Sequence, residues 1–236
     1  MRLAACLLSL MAVPAVAGDL ATLSPLGFSR DGRTFAFEQY GIQDGSGFPY
    51  SEILVTDLDG ERAFEPVRVR LENEGATLGD ARAEALDRAE SVLSGLGPLD
   101  DGLLVAANPP TELSADPHRV VFRPRAVEPS PDEPVELRLA LIPFFEADES
   151  CTVFGNTVNG FRLTRVSTEP GEPARLIHED EAEPQDRRCP YDYRIAEVRV
   201  HTDADWNLRA VVLIGIVQVG FEGPDMRYMA VPLPLD

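Results

Sequence analysis

Two stretches near opposite ends of the chain constrain its fold more than anything between them. In the first, Arg33-Thr34-Phe35-Ala36-Phe37-Glu38 alternates with a two-residue period behind the tight-turn dipeptide Asp31-Gly32, and Glu52-Ile53-Leu54-Val55-Thr56-Asp57 returns. Successive side chains of a strand lie on opposite faces, so this period predicts a hairpin with one face turned to a core. Residues 201–233 repeat the order: an Asp-rich turn, a β run, a Gly- and Pro-containing connection and a closing strand. The chain is expected to begin and end with related hairpins that pair to close one sheet.

Between them one segment follows a different period. Thr77-Leu78-Gly79-Asp80 has the form of a capping box with Asp in place of Glu, and Leu78, Ala81, Ala85, Ala89, Val92 and Leu96 recur at helical spacing. Glu84 and Arg88 are set for an i,i+4 pair, and Gly95 and Pro98 mark the stop. This predicts one amphipathic helix from about Thr77 to Ser94, with an alanine-rich stripe that packs closely on a sheet. Further strands are expected at residues 136–144, 160–167, 193–201, 208–221 and 227–232, and an acidic surface loop at 169–188. The fold class is mainly β, with antiparallel sheets.

The first residues, MRLAACLLSLMAVPAVA, combine Arg2, a short apolar run, Pro14 and a small-residue Ala15-Val16-Ala17 site. That is the pattern of a secretory signal peptide spanning 1–17, and the run is too short for a membrane anchor. What remains, 18–236, is expected to form a single mainly β domain with no membrane span, in the periplasm or outside the cell. Export makes Cys151 and Cys189 a disulfide, worth roughly 3 to 4 kcal/mol in the chain-entropy account. The chain has 21 basic residues, all arginine, against 40 acidic ones, for a formal net charge of −19. Such a surface repels nucleic acid.

No constellation in the sequence specifies an activity. His118, His178 and His201 lie at no metal-ligand spacing, and Gly45-Ser46-Gly47 joins strand to strand, unlike a nucleophile elbow. Asp44, Glu52 and Asp57 are close in sequence, but nearby carboxylates are expected of so acidic a chain. Asp203, Asp205 and Asn207 alternate as in calcium loops, yet the glycine and glutamate of an EF-hand are missing, leaving a weak metal candidate beside Trp206, the lone tryptophan. No cofactor is expected.

The connection from Gly41 to Ile53 is longer than a hairpin needs, and its C-terminal counterpart repeats its vocabulary of Gly, Phe, Pro, acid and Tyr. Loops that exceed structural need are where binding concentrates. If the hairpins are neighbours, the two loops form one rim. The candidate binding residues are Asp44, Ser46, Phe48, Tyr50 and Glu52 on the first, with Phe221, Glu222, Asp225, Arg227 and Tyr228 on the second.

The pattern FSRDGRTFAF followed by EILVTDLDG resembles one blade of Tol-type β-propellers, although a full set of blades is not found. Together FSRDGRTFAFEQYGIQDGSGFPYSEI, CPYDYRI and GFEGPDMRY resemble a family of predicted secreted bacterial proteins, domain of unknown function 2259. The resemblance implies export and a shared fold, and brings no activity, cofactor or catalytic residue. The expectation is a non-enzymatic binding or envelope-interaction module, whose partner is another envelope protein or a small ligand. The alternative is a carboxylate-dependent hydrolase acting on envelope polymers.

Overall fold

The structure is a computed structural model that describes residues 18–145, 147, 149–152, 155–167, 171, 173–203 and 206–235. Residues 1–17, where the sequence predicts a signal peptide, lie outside them. Strands β1 (Thr22–Phe28), β2 (Thr34–Ile42), β3 (Pro49–Asp57) and β4 (Val67–Arg70) form an antiparallel meander in sequence order. Helix α1 (Leu78–Leu96) follows, then β5 (Leu103–Ala107). A second meander holds β6 (Arg119–Phe122), β7 (Val135–Phe144), β8 (Val158–Val166) and β9 (Arg175–Glu179), with the short α2 (Glu149–Thr152) between β7 and β8. The last strands, β10 (Pro190–Thr202), β11 (Leu208–Val219) and β12 (Pro224–Leu233), join β5 in the order β12-β11-β10-β5.

The β5-containing sheet is the middle layer. Along β11, Ala210, Val212, Ile214 and Ile216 pack with Leu137, Leu139, Phe161 and Leu163 of the β6–β9 sheet. The residues between them, Val211 and Leu213, pack with Phe28, Phe35, Phe37 and Tyr50 of the β1–β4 sheet. A strand buried on both faces needs an unbroken apolar run, which is what residues 210–214 supply. On β10 the register shifts between Ile195 and Glu197. Tyr193, Ile195, Val198 and Val200 thereby join one core while Ala196 turns to the other, as a bulge allows.

The two outer faces are finished differently. On the β1–β4 sheet, α1 lays Ala81, Ala85 and Ala89 against Ile53 and Val69, the small side chains permitting close approach. The Thr77 capping box forms as the sequence predicts: the Asp80 N–H donates to Thr77 Oγ1 at 3.2 Å and the Thr77 N–H to Asp80 Oδ2 at 2.8 Å. Arg88 pairs with Glu84. On the outside of the β6–β9 sheet Glu136 accepts from Arg119 at 2.9 Å and Arg138 at 2.8 Å, and these two guanidinium groups hold its carboxyl down at about 2. This face is an ionic ladder in water.

Three expectations change. The terminal hairpins do not close one sheet: β2–β3 and β11–β12 lie in different layers and meet across the core that Phe37, Leu213 and Tyr228 share. Residues 169–188 are not simply a surface loop, because they contain β9 and a buried Asp180–Arg187 ion pair at 2.6 Å. The first hairpin connection is also shorter than expected. It comprises residues 43–48, which leaves Tyr50 and Glu52 within β3.

Candidate functional site

A cleft of about 650 Å³ opens where β3 and β4 of one outer sheet meet β11 and β12 of the middle sheet and the segment leading into β10. Its lining includes five arginines, Arg68, Arg70, Arg187, Arg188 and Arg227, against three carboxylates, Glu52, Glu72 and Asp186. The whole chain shows the opposite balance, 21 basic to 40 acidic. In the cleft lining, arginines outnumber carboxylates.

Its floor is a network built from sheet ends. Gln39 bridges layers: its Oε1 accepts the Tyr228 N–H at 2.7 Å and its Nε2 donates to Glu52 at 2.9 Å. Tyr50 donates its hydroxyl to Asp19 Oδ1 at 2.8 Å, and Arg227 grips the other oxygen at 2.5 Å while lying 4.4 Å from the Tyr50 ring centre. Gly41, opposite Tyr50 in the ladder, makes room, since a Cβ there would stand 2.7 Å from the Tyr50 hydroxyl. Burial and the Asp19 carboxylate push the Tyr50 phenol upward, outweighing Arg227. Burial likewise pushes Tyr228 up to about 12. Both phenols therefore stay neutral at physiological pH. Gln218 lines the cleft at 5% exposure.

One wall is carried by residues 186–188. Arg187 donates two hydrogen bonds to Asp180, at 2.6 and 2.9 Å, and one to the Tyr193 hydroxyl at 3.2 Å. Burial alone would raise the Asp180 carboxyl, but Arg187 and the Phe161 N–H hold it below its ordinary value. Arg188 and Cys189 both take positive φ, 46° and 54°, and the Cys151–Cys189 disulfide ties this turn to α2. Arg188 is exposed and has no hydrogen-bond or ion-pair partner among the described residues.

The binding residues singled out in the sequence divide into two groups. Tyr50, Glu52, Arg227 and Tyr228 line the cleft, on strands rather than loops. Asp44, Ser46, Phe48, Phe221, Glu222 and Asp225 stand outside its lining. The two loops do meet: the Glu222 N–H donates to Asp44 Oδ2 at 2.7 Å, and Gly45, at φ 79°, lies under Phe221, where a Cβ would come within 3.0 Å of the ring. Ser46 donates to Gln43 at 3.0 Å and accepts the Phe48 N–H at 3.3 Å, which is turn chemistry. Asp225 accepts the Asp19 N–H at 3.0 Å, and burial raises its carboxyl.

The 203–207 turn is closed by its own side chains. Asp203 accepts from the Asn207 N–H at 2.9 Å and from Asn207 Nδ2 at 3.0 Å. Asp205 lies outside the described residues. No group of three or more His, Cys, Asp or Glu placed for a metal occurs among the described residues. Sequence reasoning missed Gln39, Arg68, Arg70, Arg187, Arg188 and Gln218. The only local signals were the alternating Arg68 and Arg70 in VRVR and the Arg187-Arg188 pair beside Cys189.

Residues 36–233 match the family described as predicted secreted protein, DUF2259. The chain belongs to this DUF2259 family. No curated protein and no solved structure matches it. DUF2259 members are described as secreted and carry no assigned activity, and no described helix of this one is long and apolar enough to cross a membrane.

Proposed function

We propose that this DUF2259 protein is a non-enzymatic binding module of the periplasm or cell exterior, and that its ligand occupies the cleft between the middle sheet and the β1–β4 sheet. The observation that carries the reading is the cleft floor. Gln218, only 5% exposed as a residue, lines that floor beside an anchored Tyr50–Asp19–Arg227 network. A concave, preformed site of about 650 Å³ with a few convergent polar groups suits a small ligand better than the flat face of a protein partner. The scaffold supports the same reading. Each outer sheet is a four-stranded antiparallel meander, the strand pattern of a propeller blade, and the middle sheet shares a core with both, as in one domain over 18–236.

The carboxylates that a hydrolase would use are engaged elsewhere. Asp44 holds the Glu222 N–H, and Glu52 accepts from Gln39 and sits 3.7 Å from Arg68. The test is capture in the native host with a photo-reactive amino acid at Gln43 on the cleft wall. Light-dependent recovery of one ligand, lost when Gln218→Leu is added, is the expected result. Equal labelling with and without Gln218→Leu contradicts the assignment.

A further inference from the structure

The cleft brings five arginines together on a chain whose net charge is negative. Two of its arginines are spent internally. Arg187 is locked to Asp180 and Tyr193, and Arg227 serves Asp19, the Asp19 and Met226 carbonyls and the Tyr50 ring. The other three have donors to spare. Arg68 only approaches Glu52, at 3.7 Å, Arg70 pairs with Glu72, itself in the lining, and Arg188 has no partner among the described residues. Arg68 and Arg70 are alternate residues of β4, so they share one side of the strand, roughly 7 Å apart along it. Arg188 lines the same cleft from the disulfide-pinned turn.

Glu52 and Glu72 already stand beside Arg68 and Arg70, so Arg188 is the cleft cation without a counter-charge, and an anion entering there meets its whole fork together with the unspent N–H donors of the other two. A guanidinium fork matches the planar carboxylate and the phosphate group, which accept two parallel hydrogen bonds. The neutral amide of Gln218 on the floor suits a hydroxyl or a further acceptor beside that group. We propose that the cleft takes a small oxyanionic ligand, bearing carboxylate or phosphate groups, gripped between Arg68 and Arg70 on β4 and Arg188 on the disulfide-pinned turn. This rests on the cleft being the binding site proposed above. It adds the ligand's charge and the residues that read it.

The test is calorimetric titration of the chain from residue 18, disulfide intact, with three probes: trigalacturonate for carboxylates, inorganic phosphate, and maltotriose as a neutral sugar. Binding of either anion supports the proposal, and the preferred one names the source of charge. That binding should weaken at least about ten-fold in Arg188→Gln and in the Arg68→Gln/Arg70→Gln double variant, since each removes a charged hydrogen-bond donor. It should also fall as salt is raised. The unfolding midpoint of Arg188→Gln should match the wild type, because the side chain holds nothing in the folded protein.

Preference for maltotriose, lost in Gln218→Leu, overturns the oxyanion assignment and leaves the binding module standing. Anion binding indifferent to the three arginines overturns the site. Failure of all three probes overturns the ligand class, and if Gln43 also captures nothing in the host, the binding reading falls with it.

Discussion

Replacing Arg82 by Ala should destabilise the protein through a residue outside the cleft lining. Glu38, at 1% exposure on β2, accepts from Arg82 Nε at 2.9 Å, Arg82 Nη2 at 2.8 Å and Ser51 Oγ at 2.9 Å. The guanidinium also lies 3.9 Å from the Tyr40 ring centre, so one side chain fastens α1 to the sheet that carries the cleft. Removing one partner of a fully buried pair costs about 3 to 5 kcal/mol because the other charge stays behind. Arg82 is 37% exposed, so water entering its space will solvate part of the Glu38 carboxylate. That discount, with some loss of the ring contact, brings the expected cost to about 2 to 3 kcal/mol. For a chain of this size the melting temperature should drop by roughly 5 to 10 °C. Urea unfolding is the assay, with an unchanged slope confirming that only stability moved. The Glu38→Gln/Arg82→Ala variant should recover most of the loss, since a neutral amide bonded to Ser51 strands no charge. An Arg82→Ala variant within about 0.5 kcal/mol of wild type would refute the reasoning.

Three further outcomes follow from the same structure. Thr77→Ala removes the acceptor for the Asp80 N–H and should cost about 1 kcal/mol by chemical denaturation. Replacing Cys151 and Cys189 by Ala opens a loop of sequence separation 38 and should cost about 3 to 4 kcal/mol, with faster amide exchange at residues 186–188 as the local signature. The Asp192 hydrogen bond raises the His118 pKa, outweighing burial, while burial would raise Asp192 but His118 and the Tyr193 N–H lower it. A raised imidazole stabilises below its ordinary value of 6.5 and ceases to as pH climbs through the folded value. A lowered carboxylate stabilises above its ordinary value of 3.8 and ceases to as pH falls. The stability difference between wild type and His118→Gln should therefore peak between those two values and shrink toward about pH 9, remaining under about 1 kcal/mol for so exposed a pair. A difference flat across that range counts against the pairing.

What the sequence disclosed was whatever is encoded locally. The helix was legible because its cap, its alanine stripe and its Glu84–Arg88 pair all lie within one segment. Strands β7, β8 and β10 to β12 were legible from long apolar or alternating runs. Strands β4, β5, β6 and β9 were not, because four or five residues such as Val67–Arg70 and Leu103–Ala107 carry too little period to stand out. Their place is set by neighbours: β5 is a strand because β10 offers it an edge. The partnership of the terminal hairpins was misjudged for the same reason, since pairing within a sheet and stacking between sheets use the same alternation. The site was half visible. Tyr50, Glu52, Arg227 and Tyr228 stood out beside Gly-rich turns, whereas Arg68, Arg70, Arg188 and Gln218 come from three distant segments and gain meaning only when the layers stack.

The most direct test of the cleft as the binding site is hydrogen–deuterium exchange on the chain from residue 18, with and without a small-molecule extract of the host envelope. Bound ligand should slow exchange at residues 39–43, 50–54, 68–72 and 186–188 together, and the Gln218→Leu variant should lose that protection. Protection confined to the 203–207 turn, or to the outer face of the β6–β9 sheet, would contradict the account.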